Sequence, residues 1–468
     1  MTGDRPPNPA QNCPAHAEHP GSGPDTAREL PTVPGGLPLI GHAVPFFRDP
    51  GGFLLRHHAA LGEALAFRFL GTKVASLCSP QLNAAVLGHD DSELSRDVSN
   101  GRLTPLFGEG HALDDALELV TWQKKIMRPV LRREAMAQHV TTMYEQAERY
   151  TVGWGTSGEA DLVTAVREVT ALFAAHCLIG PRFGRAMGPS LPALLQHLVS
   201  AFYWSFVIDP RAPLPVYRRR DRARNTLARA VKDIAPGDRP HGLEHGLFET
   251  ITGTPRPDGT TPDVNAAAAV MLSLLFASYE TTVAQTAWTG VLLLRHPRWL
   301  DVVRAEQDAL FGATSVPTLQ LLNEMDWLGH CLMEAERLRP SARGILRTAT
   351  RDVTIGGHLV PRGHTVVICP AASHRLPQVF RDPDHYDPDR YASRAEHRAT
   401  PSPLIGFGGG NHPCLGMTFA LQAIKVFWSV LLRDFDLELV DPDVRPARLV
   451  LIAPPRRPCL LRYRRRKP

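Results

Sequence analysis

Phe407-Gly408-Gly409-Gly410-Asn411-His412-Pro413-Cys414-Leu415-Gly416 sets one cysteine behind a run of three glycines and just ahead of a helical pattern. Glycines let the backbone turn tightly and approach a flat cofactor without a Cβ clash, and Pro413 fixes the chain direction immediately before the sulfur. Beyond it, Leu415, Met417, Phe419, Ala420, Ile424, Val426 and Phe427 recur at helical spacing. The cysteine is therefore expected at a helix N-terminus, where the dipole favours thiolate, and a thiolate so placed suits haem ligation. The plain alternative is a structural cysteine buried in a glycine-rich turn, and other segments have to decide between the two.

The loop resembles the haem-binding signature of the cytochrome P450 superfamily, Phe-x-x-Gly-x-x-x-Cys-x-Gly, matched by Phe407, Gly410, Cys414 and Gly416. Upstream, Glu334-Ala335-Glu336-Arg337 puts an acid and a base at i,i+3 on one helix face, with Pro340 closing the helix. Taken alone, such a pair is a solvated surface contact worth a few tenths of a kcal/mol. The resemblance implies more: Glu334 and Arg337 join Arg390, from Pro388-Asp389-Arg390-Tyr391, in a buried structural network.

A third segment, Ala277-Ser278-Tyr279-Glu280-Thr281-Thr282, lies inside an apolar stretch from about Val264 to Leu294 that lacks proline and follows Pro262-Asp263. The stretch reads as one long helix. A carboxylate within it needs a reason, because burying one unpaired is costly. The resemblance supplies it: in the superfamily the acid and threonine at these positions order water and deliver protons to dioxygen, roles that fall here on Glu280 and Thr281. Ser278 stands where relatives usually carry glycine, adding a hydroxyl that can bond the preceding turn.

A second departure concerns the haem propionates. Relatives place His or Trp nine residues before the proline that is here Pro129, and Arg five before it; this chain has Val120 and Lys124. Lys124 remains a donor and Val120 is not one, so one propionate contact is expected to be either lost or taken over by Trp122. The resemblance adds His412, Arg347 and His374 as further propionate contacts.

Length and composition suit one large enzyme. The 468 residues show no internal repeat or interior linker, so residues 31–468 are expected to form one domain. Residues 1–30 hold six prolines and little apolar periodicity, as expected of a disordered arm. No N-terminal stretch is long and apolar enough to span a membrane, no signal peptide is evident, and the seven cysteines contain no Cys-x-x-Cys pair. A reducing, cytoplasmic setting without a transmembrane anchor is the expectation. The formal net charge of +5 gathers in three basic clusters, around Lys124 to Arg133, Arg218 to Arg224, and Arg462 to Lys467, but no nucleic-acid motif accompanies them.

The resemblance implies a mainly helical cytochrome P450 fold with a small β-rich region, and haem b held between the long helix and the Cys414 loop. It also implies electrons from NAD(P)H through ferredoxin reductase and ferredoxin, the latter docking on the first basic cluster. Substrate would meet Ala277, Ser278 and Tyr279 of the long helix, and Ile345 and Leu346, while the aromatic run of a lid, Phe202, Tyr203 and Phe206, either packs a helix into the core or closes over an apolar ligand. The entry segment Val33-Pro34-Gly35-Gly36-Leu37-Pro38 and the Ala-x-x-Glu-Thr-Thr form of the helix are similar to actinobacterial members that oxidise terpenes and other natural products, the pentalenene oxygenases among them. An apolar, terpene-like secondary metabolite is the expected substrate and a monooxygenation the expected reaction. A peroxygenase or isomerase, and a non-enzymatic haem or ligand-binding protein, are the rival readings.

Overall fold

The computed structural model describes residues 27–96, 102–111, 117–311, 316–392, 402–447 and 452–466. Most of the expected arm, residues 1–26, lies outside them, and backbone pairing is already present at Arg28, whose amide reaches the Gly357 carbonyl at 2.9 Å.

The longest element is the helix Val264–Arg295. Asp263 starts it by accepting the Ala266 amide at 2.8 Å, and the approach of Pro297 bars His296 from continuing it. Its 32 residues span about 48 Å. Apolar side chains all round its C-terminal half suit a helix buried on every side, and Trp288, Val291 and Leu293 are all inaccessible to solvent.

The helix Met417–Asp434, which follows the cysteine, packs against this central helix through one defined contact. Trp428 donates its indole N–H to the Thr286 carbonyl at 2.9 Å, and its ring fills the place a Cβ on Gly290 would take. Any larger residue at 290 would push the two helices apart. The helix Leu162–Ala174, capped by Asp161 through the Thr164 amide at 2.7 Å, covers another side of the central helix and continues into a π turn at Ala175–Ile179.

The β structure is small, as expected. A five-stranded sheet runs Ala64–Phe69, Thr72–Leu77, Thr365–Ile368, Ile345–Ala349, Leu94–Ser95, with the pairing of 72–77 to 365–368 parallel and the rest antiparallel. A three-stranded antiparallel sheet joins Phe435–Leu439, Leu460–Arg465 and Ser157–Asp161. There part of the basic tail meets acids: Arg462 pairs with Glu159 and Glu438, and Arg464 with Asp436.

Among the described residues, two helical stretches, Leu162–Ile179 and Val264–Arg295, are long and apolar enough to cross a membrane, but most of each is packed inside the protein.

Candidate active site

Cys414 sits at the end of a tight hairpin, Gly408–Gly409 paired with His412–Pro413, two residues before Gly416, which begins the helix Met417–Asp434. The Cys414 amide closes the loop on the Phe407 carbonyl at 2.8 Å. Gly408 and Gly410 both hold positive φ, +72° and +56°, and a Cβ on Gly410 would run into the Leu87 carbonyl. The glycine run is thus required by conformation and by close backbone approach together. Burial pushes the Cys414 thiol pKa up, while the Gly416 amide, bonded to the sulfur, pulls it down. Cys414 is nonetheless an exposed residue, reachable by a ligand; a metal cation at the sulfur would supply what burial withholds from the thiolate.

On the central helix, every residue from Ala267 to Leu293 is buried except Leu274, Ala277, Ser278 and Thr281. Their spacing of three, one and three defines a single helical face, so the expected catalytic threonine and two expected pocket residues share one open stripe. Thr281 donates to the Ala277 carbonyl at 2.9 Å and Ser278 to the Leu275 carbonyl at 3.0 Å, so the serine hydroxyl that replaces glycine is taken up by its own helix. Tyr279 is a correction to the sequence reading. It lies on the opposite face and is fully buried, because one further residue turns the side chain by 100°.

Glu280 is also buried, and its carboxylate is met by two side chains that sequence reasoning missed. Arg167 reaches Oε1 at 3.2 Å and Gln196 donates to Oε2 at 3.3 Å. Burial pushes the Glu280 pKa up and Arg167 opposes that shift. The only available signal was a charged residue inside the apolar run of Leu162–Ala174.

Around the cysteine loop, His412 Nδ1 faces the Arg96 guanidinium at 3.2 Å and Nε2 meets Asp91 at 2.7 Å. A guanidinium only donates, so Nδ1 accepts and Nε2–H points to Asp91. Lys124 donates to the Asn411 carbonyl at 3.4 Å. Arg347 is buried, and burial together with Arg96 lowers its pKa to about 10; it donates to the neutral Leu346 carbonyl at 2.8 Å. This cluster of cations beside one acid has the chemistry to take two carboxylates. Trp122, by contrast, gives its N–H to the Thr254 carbonyl at 2.9 Å, and the Val120 side chain lies outside the description.

His374 has a different setting from the one expected of it. It is fully buried, its Nε2 accepts the Ile405 amide at 2.9 Å, and its Nδ1 lies 3.7 Å from Glu336. Burial lowers its pKa to about 3, which keeps it neutral. The ring braces the chain where it enters the cysteine loop.

Glu334 binds Arg337 through two bonds of 2.8 Å, Arg390 at 3.1 Å and the Tyr391 hydroxyl at 3.1 Å, all in the buried interior. Arg337 also donates to the carbonyls of His374, Pro383 and His385, tying this network to the segment that carries His374.

In the lid helix Leu191–Ser205, Phe202 packs on Phe276 of the central helix and on Phe206, with ring centres 5.1 Å apart in each case. Tyr203 donates to the Ile452 carbonyl at 2.9 Å. Trp204 turns to solvent. Ile345 and Leu346 are half-buried on their strand.

Fold and site together define a helical protein with a cysteine on a glycine hairpin, a buried acid beside a half-buried threonine on a long central helix, and a glutamate–arginine network beneath. The Cytochrome P450 family model matches residues 31–460, and the chain belongs to that family. Sterol 14-demethylase of Arabidopsis thaliana is 30% identical over 446 residues, 93% of this chain and 91% of its own length. A sterol 14alpha-demethylase of Mycolicibacterium vanbaalenii is also 30% identical, over 94% of this chain and 98% of its own. Among solved structures, a retinoic-acid-bound cyanobacterial CYP120A1 superposes with a TM-score of 0.81 at 22% identity, covering 94% of this chain and all of that one, which shows the shared fold. The chain is a cytochrome P450 monooxygenase, and its family works with haem iron. The non-enzymatic reading falls with that assignment.

Proposed function

We propose that the protein binds haem b with Cys414 as the iron ligand and oxidises an apolar, terpene-like small molecule on the open face of the central helix. The observation that carries this reading is the stripe of Leu274, Ala277, Ser278 and Thr281, the half-buried face of a helix that is otherwise buried from Ala267 to Leu293 and that Trp428 and Gly290 lock to the helix behind Cys414.

The residues present fit a haem. Phe407, Gly410 and Gly416 shape the loop around the thiolate, and a Cβ on Gly416 would meet nothing within 4 Å, so that side of the loop offers room for a flat ring. Arg347, His412 and Lys124 would take the propionates, with Arg96 beside them and His374 holding the loop from behind. Once bound, the haem supplies the oxygen-activating and electron-accepting chemistry, aided by electron density from the thiolate. The chain's own part is to hold protons. Thr281 keeps a hydroxyl on the open face, and Glu280, raised in pKa by burial and steadied by Arg167 and Gln196, is suited to pass a proton at its carboxyl oxygens.

Phe202, Phe206, Ala277, Ile345 and Leu346 make the pocket apolar, and the relatives' names point to sterols and the structural neighbour's to retinoic acid. Electrons would come from NAD(P)H through ferredoxin reductase and ferredoxin. Lys124, Lys125 and Arg128 are all exposed on one helix, and Lys124 touches the cysteine loop, a placement that suits an acidic ferredoxin in the cytoplasm. A ligand screen by the low-to-high-spin shift tests the substrate class. Terpenes and sterols should shift the spectrum; a response confined to fatty acids or aromatic compounds contradicts the terpene assignment, and turnover with peroxide but not with the ferredoxin couple contradicts the electron route.

A further inference from the structure

A cavity of about 420 Å³ lies between the helix Leu162–Ala174 and the segment 454–457 that leads into the strand Leu460–Arg465. Val163 and Arg167, four positions apart and so on one face of the helix, line it from one side, and Ala447, Pro454, Pro455, Arg456 and Arg457 complete the lining. Three of these residues are cations and none is an acid.

The acids that answer these cations stand outside the lining and are already engaged. Arg167 gives one arm to Glu280 at 3.2 Å, while its Nε is buried without a hydrogen-bond partner among the described residues. Arg457 meets Asp161 at 3.2 Å, but Asp161 also accepts the amides of Thr164 at 2.7 Å and Cys459 at 3.1 Å. Arg456 is exposed, and its guanidinium has no ion pair or hydrogen bond among the described residues.

The wall carbonyls are taken as well. The Ala447 carbonyl accepts from Arg343 at 3.2 Å and the Pro454 carbonyl from the Ala447 amide at 2.9 Å, so neither is left to compete with an anion, and Arg343 brings a further cation to the wall. Val163 and the two prolines make the rest apolar. Guanidinium groups match the oxygens of a phosphate two at a time. The volume is many times the roughly 30 Å³ that one water takes in the liquid, which leaves room for a small organic body beside the phosphate.

We propose that this cavity binds the phosphate group of a small organic molecule on Arg167, Arg456 and Arg457, with the body of that molecule against Val163, Pro454 and Pro455. Arg167 then answers to two anions, the ligand and Glu280, so binding here and the charge on Glu280 oppose each other. The site stands apart from the haem: a failure of the haem-thiolate reading shows as a missing carbon-monoxide band and leaves the phosphate measurements intact.

The test is calorimetry on the full haem-loaded chain at pH 8 and constant ionic strength, with phenyl phosphate, inorganic phosphate and, as an uncharged counterpart, benzyl alcohol. Phenyl phosphate should bind about tenfold more tightly than inorganic phosphate, and benzyl alcohol at least about a hundredfold more weakly than phenyl phosphate. Arg456→Gln, at an exposed position, should lose about tenfold in affinity for phenyl phosphate, and Arg456→Lys should lose less than Arg456→Gln. Glu280→Gln should tighten phenyl phosphate about fivefold, because Arg167 no longer answers to a carboxylate. Absent binding of phenyl phosphate, equal affinity for phenyl and inorganic phosphate, or binding unaltered by either Arg456→Gln or Glu280→Gln overturns the proposal.

Discussion

The Arg167 guanidinium lies 3.2 Å from the Glu280 carboxylate, an ion pair between the helix Leu162–Ala174 and the central helix. The pairing explains how a carboxyl group survives inside the central helix, and it makes the proposed proton site depend on a residue far from the signature segments.

Arg167→Leu should leave the buried Glu280 without its cation, with only the Gln196 bond to Oε2 remaining, and cost about 3 kcal/mol at neutral pH. The sign follows from the raised Glu280 pKa: a neutral carboxyl is tolerated, so the penalty shrinks as pH falls toward the ordinary carboxylate range and grows as pH rises. Urea unfolding of variant and wild type across that window measures it, and a pH-independent difference contradicts the pairing.

Glu334→Ala should be more severe than Tyr391→Phe, because it strands both Arg337 and Arg390 without their acid. About 3 to 5 kcal/mol is expected for the former and about 1.5 kcal/mol for the latter, which loses a single bond to a charged group. Thermal unfolding of the haem-loaded proteins ranks them.

Glu336 is fully buried, neither of its oxygens has a hydrogen-bond partner among the described residues, and burial raises its pKa to about 8. Its folded pKa exceeds its unfolded one, so the stability linked to its neutral form is complete below the ordinary carboxylate range and is lost as pH rises through about 8. Glu336→Gln should flatten the pH dependence of unfolding between those limits, and an unchanged slope contradicts the buried, neutral assignment.

Gly410→Ala must place a side chain at φ +56° and against the Leu87 carbonyl. A loss of about 2 kcal/mol or more is expected, with haem retention falling in parallel. Gly416→Ala, whose Cβ would enter open space, should be far milder in unfolding measurements.

The cysteine loop and the central helix were legible in the sequence because each depends on local geometry: a glycine run, and an unbroken apolar stretch with an Asp cap. The glutamate–arginine network was legible only through the family resemblance, since its i,i+3 pair alone reads as a surface contact and Arg390 lies 56 positions from Glu334. What was not legible depends on chain segments far apart. Arg167 lies 113 positions from Glu280, and Gln196 lies 84. No local pattern marks such a pair. Tyr279 was misplaced for a simpler reason: adjacency in a motif does not mean a shared face, since a helix turns neighbours apart. The Trp122 indole gives its N–H to the Thr254 carbonyl, a partner 132 positions away that no local pattern marks.

The central claim is that Cys414 holds haem iron as a thiolate. Reducing the haem-loaded protein under carbon monoxide and recording the difference spectrum tests it most directly. The account predicts the red-shifted Soret band of thiolate ligation in the wild type and its loss in Cys414→Ser; a folded, haem-loaded wild type without that band, or a Cys414→Ser variant that keeps it, contradicts the assignment.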